Sequence, residues 1–542
     1  DPFYRVMTPA GFVRLNLETI HSLEAWRTTT GDADVILGVV DNGFDLLHAE
    51  LLQNLWINER ELPPALFDTD GDGVVSPAEV LAFDIDGSGH ISFSDLEASG
   101  ICPMANSAPT DRCDPLDLAS GRHIPTDSEV SLFATLLAAL LLGQGIPVPP
   151  AELEPIIRGW LIPAPCDPTR LGYGFEDGCD DDGNGLPDDL FGWDFAGNDN
   201  LAEPNYSSRV PDHGTGMAAV AGGVGDNNVG GPGIAWHARL MLLKGSLISN
   251  PPGTSFETRP TDRLLRDTII SGISYAMRNG ARVINLSAGL TLRADHTEQD
   301  VCEDTGMDSI PGDKFAPGVQ ALSSEWAANF PPSLADRALL VIAVPNCGEN
   351  LDAGNNFAYP ASFAVDRPDL GVSAVQSTII NVTNAETWDN LNGVPWTFQQ
   401  PGAAGPRGSS ALGAGTVHIS APGVGWNLAA PAPTFPSGTI DVSTTACPRL
   451  IDGVYQPPAY PFCAGSSIAA PLVAGSAALA LTFVPALDTL SLRDRVLSNA
   501  CTLAGTTGVE NNRYIDVEGA VVGSPHPPAI LCPCGTPRLL CP

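Results

Sequence analysis

An α/β fold, a doubly wound and mostly parallel sheet with helices on both faces, is what this sequence predicts, on three observations. Short apolar runs rich in β-branched residues recur at Val35 to Val40, Arg239 to Leu243, Val283 to Leu286, Leu339 to Val344 and Gly371 to Val375. Runs of this kind mark strands buried on both faces. Ala-rich helical patterns alternate with them, after His213, across Arg263 to Asn279 and from Ser467 through Ala480, which is the rhythm of crossover helices in a parallel sheet. Between about Trp56 and Phe191 the chain turns to Asp, Gly and Pro with a few helical patches. A long loop-rich and helical insertion, residues 56–190, is therefore expected to interrupt a domain of residues 1–522. Residues 523–542 hold too many prolines for a regular element and read as a Pro/Cys-rich tail.

Composition narrows the setting. A chain of 542 residues accommodates one α/β domain with large insertions. Its 26 basic and 63 acidic residues give a net charge of −37, which disfavours nucleic acid and anionic membranes as partners and suits a saline or calcium-containing medium. Twelve cysteines, an even number, suit an oxidising compartment. Cys102 with Cys113, Cys166 with Cys179, and Cys447 with Cys463 are the local pairings, and no Cys-x-x-Cys zinc pattern occurs. Cys532, Cys534 and Cys541 read as a disulfide knot in preference to a metal knot. The start, DPFYRVMTPAGF, lacks a basic region followed by an apolar core, so a secretion signal and propeptide are expected outside this sequence. The apolar stretch at 131–143 is too short to span a bilayer and reads as a buried or amphipathic helix. The expectation is an extracellular monomer without a membrane span.

Three segments concentrate chemistry. The run VILGVV ends at Asp41-Asn42-Gly43, setting a carboxylate at the carboxyl end of a central strand, where open α/β sheets keep their sites. Taken alone the pattern is more often a turn. Asp212-His213-Gly214-Thr215-Gly216 precedes MAAVAGGV and starts a small-residue helix with an imidazole, where a cap or a satisfied core histidine is the alternative. Gly465-Ser466-Ser467-Ile468-Ala469-Ala470-Pro471 opens the run LVAGSAALAL. That serine sits where free amides and the helix dipole favour an oxyanion, although an ordinary N-cap is the commoner fate of a serine there.

Taken together, in the order Asp, His, Ser, these segments resemble the catalytic motifs of the subtilisin-like (subtilase) family of serine proteases. Asn285-Leu286-Ser287-Ala288-Gly289 is similar to the family's substrate-binding strand, and Val341 to Asn346 to the strand ending at its oxyanion asparagine. Tyr359-Pro360-Ala361-Ser362 and Ala421-Pro422-Gly423 match further landmarks, and the resemblance covers about residues 1–55 and 190–520. It implies that Ser467 is the nucleophile, His213 its base and Asp41 the orienter of His213. It further implies that Asn346 donates to the oxyanion beside the Ser467 N–H, and that Ser287, Ala288 and Gly289 bind substrate. The implied function is a secreted serine endopeptidase acting on proteins or peptides. A catalytically inactive subtilase fold serving as a calcium-dependent binding protein is the alternative. Asn42 stands where the family has Ser or Thr, Gly216 in place of a second His, Ile468 in place of Met, and Pro345 in place of Gly. Pro345 restricts the backbone of Ala343 and Val344 at the S1 wall, which a disulfide from Cys347 to Cys302 would brace.

Calcium is the expected cofactor, at two or more sites. Residues 68–79 fit a twelve-residue EF-hand loop, with Asp68, Asp70, Asp72, the Val74 carbonyl and Glu79 as ligands and Gly73 at the sharp turn. A second loop offers Asp84, Asp86, Ser88, His90 and Asp95, where the shorter Asp95 would bind through one oxygen in place of two. The close spacing of the two loops points to a compact EF-like tandem. A third, Asp180, Asp182, Asn184, Leu186 and Asp189, resembles a calcium loop that some subtilases carry before their histidine; an Asp/Gly-rich hairpin is the alternative.

Overall fold

The computed structural model describes residues 17, 20–46, 48–69, 75–85, 87–99, 149, 178–203, 213–227, 232–245, 261–294, 307–310, 312–346, 348–385, 410–426, 449–451, 454–456, 463–502 and 508–524. It divides into two compact units, residues 1–56 with 203–542, and residues 57–202.

The larger unit is built on a mostly parallel sheet. Its strands are β1 (Ile36–Asp41), β2 (Arg239–Lys244), β3 (Val283–Leu286), β5 (Leu339–Ala343), β7 (Ile379–Ala385), β8 (Ile419–Pro422), β9 (Cys501–Thr502) and β10 (Arg513–Tyr514). They lie in the order β2-β1-β3-β5-β7-β8-β10, all parallel, with β9 antiparallel beside β10. Every residue of β3, β5 and β7 is buried, as expected of parallel strands covered on both faces. A smaller sheet pairs β4 (Leu290–Ala294) with β6 (Asn356–Tyr359) and with Met307–Ile310. The main helices are α1 (His213–Gly222), α2 (Thr261–Arg278), α3 (Gly312–Asn329), α4 (Ser466–Phe483), α5 (Thr489–Ser498) and α6 (Val517–Val522).

One expected strand is absent. Gly371 to Val375 forms no strand; only Val372 bridges to Arg367, and the strand follows at Ile379–Ala385. The apolar run GVSAV is held in a turn by backbone bonds to Arg367 and Phe363. The true strand, IINVTNA, hid its character behind polar residues. Buried Asn381 donates to the carbonyls of Ala361 and Thr416, and Thr383 to that of Ala411, so their buried donors are satisfied.

Helix α4 is the spine of this unit. Every residue from Ile468 to Leu481 is buried. Length and composition alone would let it cross a membrane, but it is packed inside the protein, against α1, α6 and the sheet. Small residues allow the approach to α1: a Cβ on Gly475 would meet Ala221 O at 2.5 Å and Ile234 Cβ at 2.6 Å.

The smaller unit carries short helices at Pro64–Phe67, Pro77–Val80 and Phe93–Ser99 around buried Phe67, Phe93, Leu96, Phe191 and Trp193, with Phe93 and Phe191 stacked at 5.1 Å. The expected helix at 131–143, Asp70, Asp72, Val74, Asp86 and the tail beyond residue 524 lie outside the described residues. So does at least one member of each expected cysteine pair.

Because the close neighbours of Gly475 include backbone, Gly475→Val is expected to destabilise the protein by roughly 3 kcal/mol through overpacking. Urea unfolding monitored by circular dichroism checks this; an unchanged midpoint would contradict the close packing of α4 on α1.

Candidate active site

The apolar residues of β1 carry Asp41 to the carboxyl edge of the sheet, where it is only 1% exposed. Its Oδ1 accepts the Asn42 N–H at 2.8 Å and lies 2.7 Å from His213 Nδ1. A carboxylate only accepts, so Nδ1 carries the proton and a neutral imidazole presents Nε2 as a base. His213 is the first residue of α1, and its position is set by close contact. A Cβ on Gly214 would meet Gly43 O at 2.3 Å, so only glycine lets the helix start press on the turn after β1. The two are then joined: Asn42 Oδ1 accepts the Gly214 N–H at 3.0 Å, and Thr215 Oγ1 accepts the Asp45 N–H at 3.0 Å. Asn42 thereby satisfies a first-turn amide that has no partner inside the helix.

Strand β3 is the neighbour of β1, with Val40 beside Leu286, so Ser287 follows at the level of Asp41. Ser467 lies in the first turn of α4. Pro471 has no N–H for the Ser467 carbonyl four residues back, and Ser287 supplies the missing donor: its Oγ donates to Ser467 O at 2.8 Å while receiving Asn285 Nδ2 at 3.0 Å. The proline inside α4 thus frees a carbonyl that ties the start of the helix to the sheet edge. In this conformation the Ser467 hydroxyl donates to Ser287 O at 3.3 Å and makes no hydrogen bond to His213.

Asn346 follows β5. Its Oδ1 accepts the Ser466 N–H at 2.9 Å and the Ser410 hydroxyl at 3.3 Å, while the Ser466 hydroxyl also donates to Val344 O. With Oδ1 so occupied, the Nδ2 group has no hydrogen-bond partner among the described residues and lies beside Gly465, 3.2 Å from where a Cβ there would sit. Pro345 does not interrupt the backbone pairing here: Val344 still donates to Val382 O, and Pro345 O accepts from Ala411. Cys347 lies outside the described residues. Buried Arg367 stiffens the following loop by donating to the carbonyls of Leu351, Ala353 and Asn356 while pairing with Asp369. Ser287, Ala288 and Gly289 join β3 to β4, with Ser287 buried and the other two half-buried.

In the smaller unit the first two acidic loops share one geometry. Glu79 accepts the backbone N–H groups of Thr69 and Ser76 at 2.6 and 2.8 Å, and Asp95 those of Ile85 and Ser92, both at 2.9 Å. In each loop the twelfth residue therefore closes onto the second and the ninth. The Ser76 N–H and hydroxyl, joined by those of Thr69, hold the Glu79 carboxyl down to about 2. Asp84 accepts from the amides of Gly87, Ser88 and Gly89, the Ser88 hydroxyl donates to His90 O, and His90 Nδ1 is 3.4 Å from Glu59 Oε1. Asp68 begins the first loop, among the described residues.

The third loop repeats part of this pattern, with Asp180 accepting from the amides of Asn184 and Gly185. Asn184 Nδ2 donates to Asp189, the Leu186 N–H donates to Asn184 Oδ1, and Asn58 donates to both Asp182 and Asp189. Glu61, from a distant short turn, joins it: oxygens of Glu61, Asp180 and Asp182 lie within 4.8 Å of one another. Burial, then the nearby Asp189, push the Glu61 carboxyl up to about 9. Sequence reasoning missed Glu61, since nothing links it to a loop some 120 residues on. Glu50, in the larger unit, was also missed. It is 1% exposed, neither carboxylate oxygen has a hydrogen-bond partner of good geometry, and burial pushes it up to about 8 against the nearby Asn227 amide. Asn42 and Ser466 were the other omissions; only the N-cap preference of Asn hinted at the first.

Residues 32–515 match the Subtilase family. The chain is 35% identical over 68 residues to Subtilisin-like protease 1 of Plasmodium falciparum, a match spanning 12% of this chain and 9% of that relative's length. Among solved structures it is similar to MycP1 from Mycobacterium smegmatis, at 16% identity over 94% of this chain and 84% of that one, with a TM-score of 0.41. It is also similar to a lanthipeptide protease, at 12% identity over 96% of each chain, with a TM-score of 0.43. On the family match along most of its length, the chain belongs to the subtilase family of serine proteases.

Proposed function

We propose that this chain is a secreted serine endopeptidase that works through an acyl-enzyme on Ser467 and is stabilised by calcium. The observation that carries the reading is the meeting, at one sheet edge, of the buried Asp41–His213 pair with Ser467 at the start of α4. A turn about χ1 would swing the Ser467 hydroxyl from Ser287 O toward His213 Nε2; side chains make such moves quickly, and catalytic hydrogen bonds commonly tighten only with substrate. Ser467 Oγ then attacks the scissile carbonyl carbon as His213 takes its proton. The oxyanion receives the Asn346 Nδ2–H and the Ser467 N–H, a first-turn amide. Collapse expels the amine, protonated by His213, and water repeats the sequence to free the acyl group and restore the serine.

Calcium is supported by the residues rather than by any step of the chemistry. Buried Glu50 and Glu61 are carboxylates that desolvation penalises, Asp180 and Asp182 bring further oxygens beside Glu61, and hard oxygens of this kind fit Ca2+. The two EF-like loops add Glu79 and Asp95 at the twelfth place, with Asp68 and Asp84 at the first. Extracellular location is supported by the even complement of twelve cysteines, because disulfides persist in oxidising compartments.

Three outcomes are expected. A serine-directed phosphonate should label Ser467, and His213→Ala should abolish labelling; unlabelled wild-type protein would favour the inactive binding protein. Asn346→Ala should lower kcat by about 10²- to 10³-fold with little change in KM, as steady-state kinetics would show, and an unchanged kcat would remove Asn346 from the mechanism. Glu50 and Glu61 bind protons more tightly folded, at about 8 and about 9, than their ordinary 4.5. In chelator their contribution to stability is therefore full below about pH 4.5 and lost as pH rises through about 8 to 9. Added calcium, binding the ionised forms, should flatten or reverse that decline in a melting-temperature series, and identical curves with and without calcium would end the calcium reading.

A further inference from the structure

A cavity of about 260 Å³ lies at the opposite edge of the sheet from Asp41, at the amino ends of β7, β8 and β10, and is lined by His418, Arg493, Asp494, Ser498, Glu510 and Arg513 among others. His418 is 3% exposed. Its Nδ1 accepts the Asn381 N–H at 2.8 Å, so its one proton is on Nε2. Among the described residues no group accepts from Nε2, and His418 lines the cavity. Arg493 uses Nε on Ile379 O at 2.9 Å, and its nearest carboxylate, Asp494, is 3.8 Å away, so its two terminal nitrogens keep their donors. Arg513 gives one nitrogen to Glu510 at 2.7 Å.

The signs are sorted by depth. The arginine side chains are 20% and 19% exposed, whereas Asp494 is 74% and Glu510 38% exposed. The cations thus face inward and the acids sit toward solvent. Burial lowers the pKa of Arg493, Asp494 and Glu510 oppose that shift and Arg513 adds to it, while burial and both arginines push His418 down to about 3. Two guanidiniums thus repel each other, only partly offset by the more exposed acids, around a neutral imidazole whose remaining nitrogen can only donate, in a chain whose net charge is −37. An anion relieves that repulsion and satisfies the donors together; water satisfies only the second.

We propose that this cavity binds a small oxyanion of the phosphate, sulfate or carboxylate class, held by Arg493, Arg513 and the His418 Nε2–H. Serine chemistry plays no part in it, so it stands or falls independently of the proposed peptidase activity.

The test uses the full chain carrying Ser467→Ala, which removes self-cleavage. Melting temperature is followed against phosphate, sulfate and acetate in turn, each compared with chloride at equal ionic strength. A saturable rise with at least one oxyanion, absent with chloride, is expected, and the most effective ion identifies the class. Arg513→Gln should weaken apparent affinity about tenfold or more, the loss expected for one charge-assisted contact. Glu510→Gln should strengthen it, because it removes the competing carboxylate, and a misfolded variant could not bind more tightly. Equal responses to chloride and all three oxyanions, or responses untouched by both substitutions, would overturn the proposal.

Discussion

The burial of α4 beneath the parallel sheet is the constraint on which the rest depends. An 18-residue apolar helix packed against α1, α6 and the strands leaves its first turn no freedom at the sheet edge. Its close approach to α1 needs glycine and alanine at the contact, which explains why both helices are made of small residues. Pro471 then converts a helical defect into an attachment. The carbonyl it cannot bond accepts from Ser287, so the backbone at Ser467 is tied to the end of β3 as well as to its own helix.

The same economy governs the partner residues. The Asp41-Asn42-Gly43 turn both ends β1 and receives the start of α1, with Asn42 accepting from Gly214 and donating its own N–H to Asp41. Carboxylate, imidazole and helix start are therefore positioned by one short segment rather than by three separate loops. On the other side of α4, Ser466 turns the Asn346 amide by occupying its oxygen, and Arg367 steadies the loop after it from within. Preorganised donors of this kind are what the proposed oxyanion role of Asn346 would require.

The smaller unit repeats one local device, a carboxylate that closes a loop by accepting backbone amides, at Glu79, Asp95, Asp84 and Asp180. Glu61 breaks the pattern, since its oxygens come from outside the loop they join. Its raised pKa and that of Glu50 have one physical origin: carboxylates taken from water without a neighbouring cation among the described residues.

Much of the larger unit was legible because buried parallel strands and small-residue helices announce themselves by apolar runs, and because Asp41, His213 and Ser467 each head or end such a run. The exception, β7, was concealed because its polar residues are satisfied by carbonyls far away in sequence, while GVSAV looked like a strand but is held in a turn. The sequence by itself determined the fold class, the order of the three chemical segments and the acidic loops, since these follow from local periodicity and spacing. Only the tertiary structure decided that Asn42 holds the His213 helix, that Ser287 completes Pro471, that Ser466 orients Asn346, that Glu61 joins Asp180 and that His418 faces two arginines. Those are hydrogen-bond and charge complementarities between residues distant in the chain, and no periodicity records them.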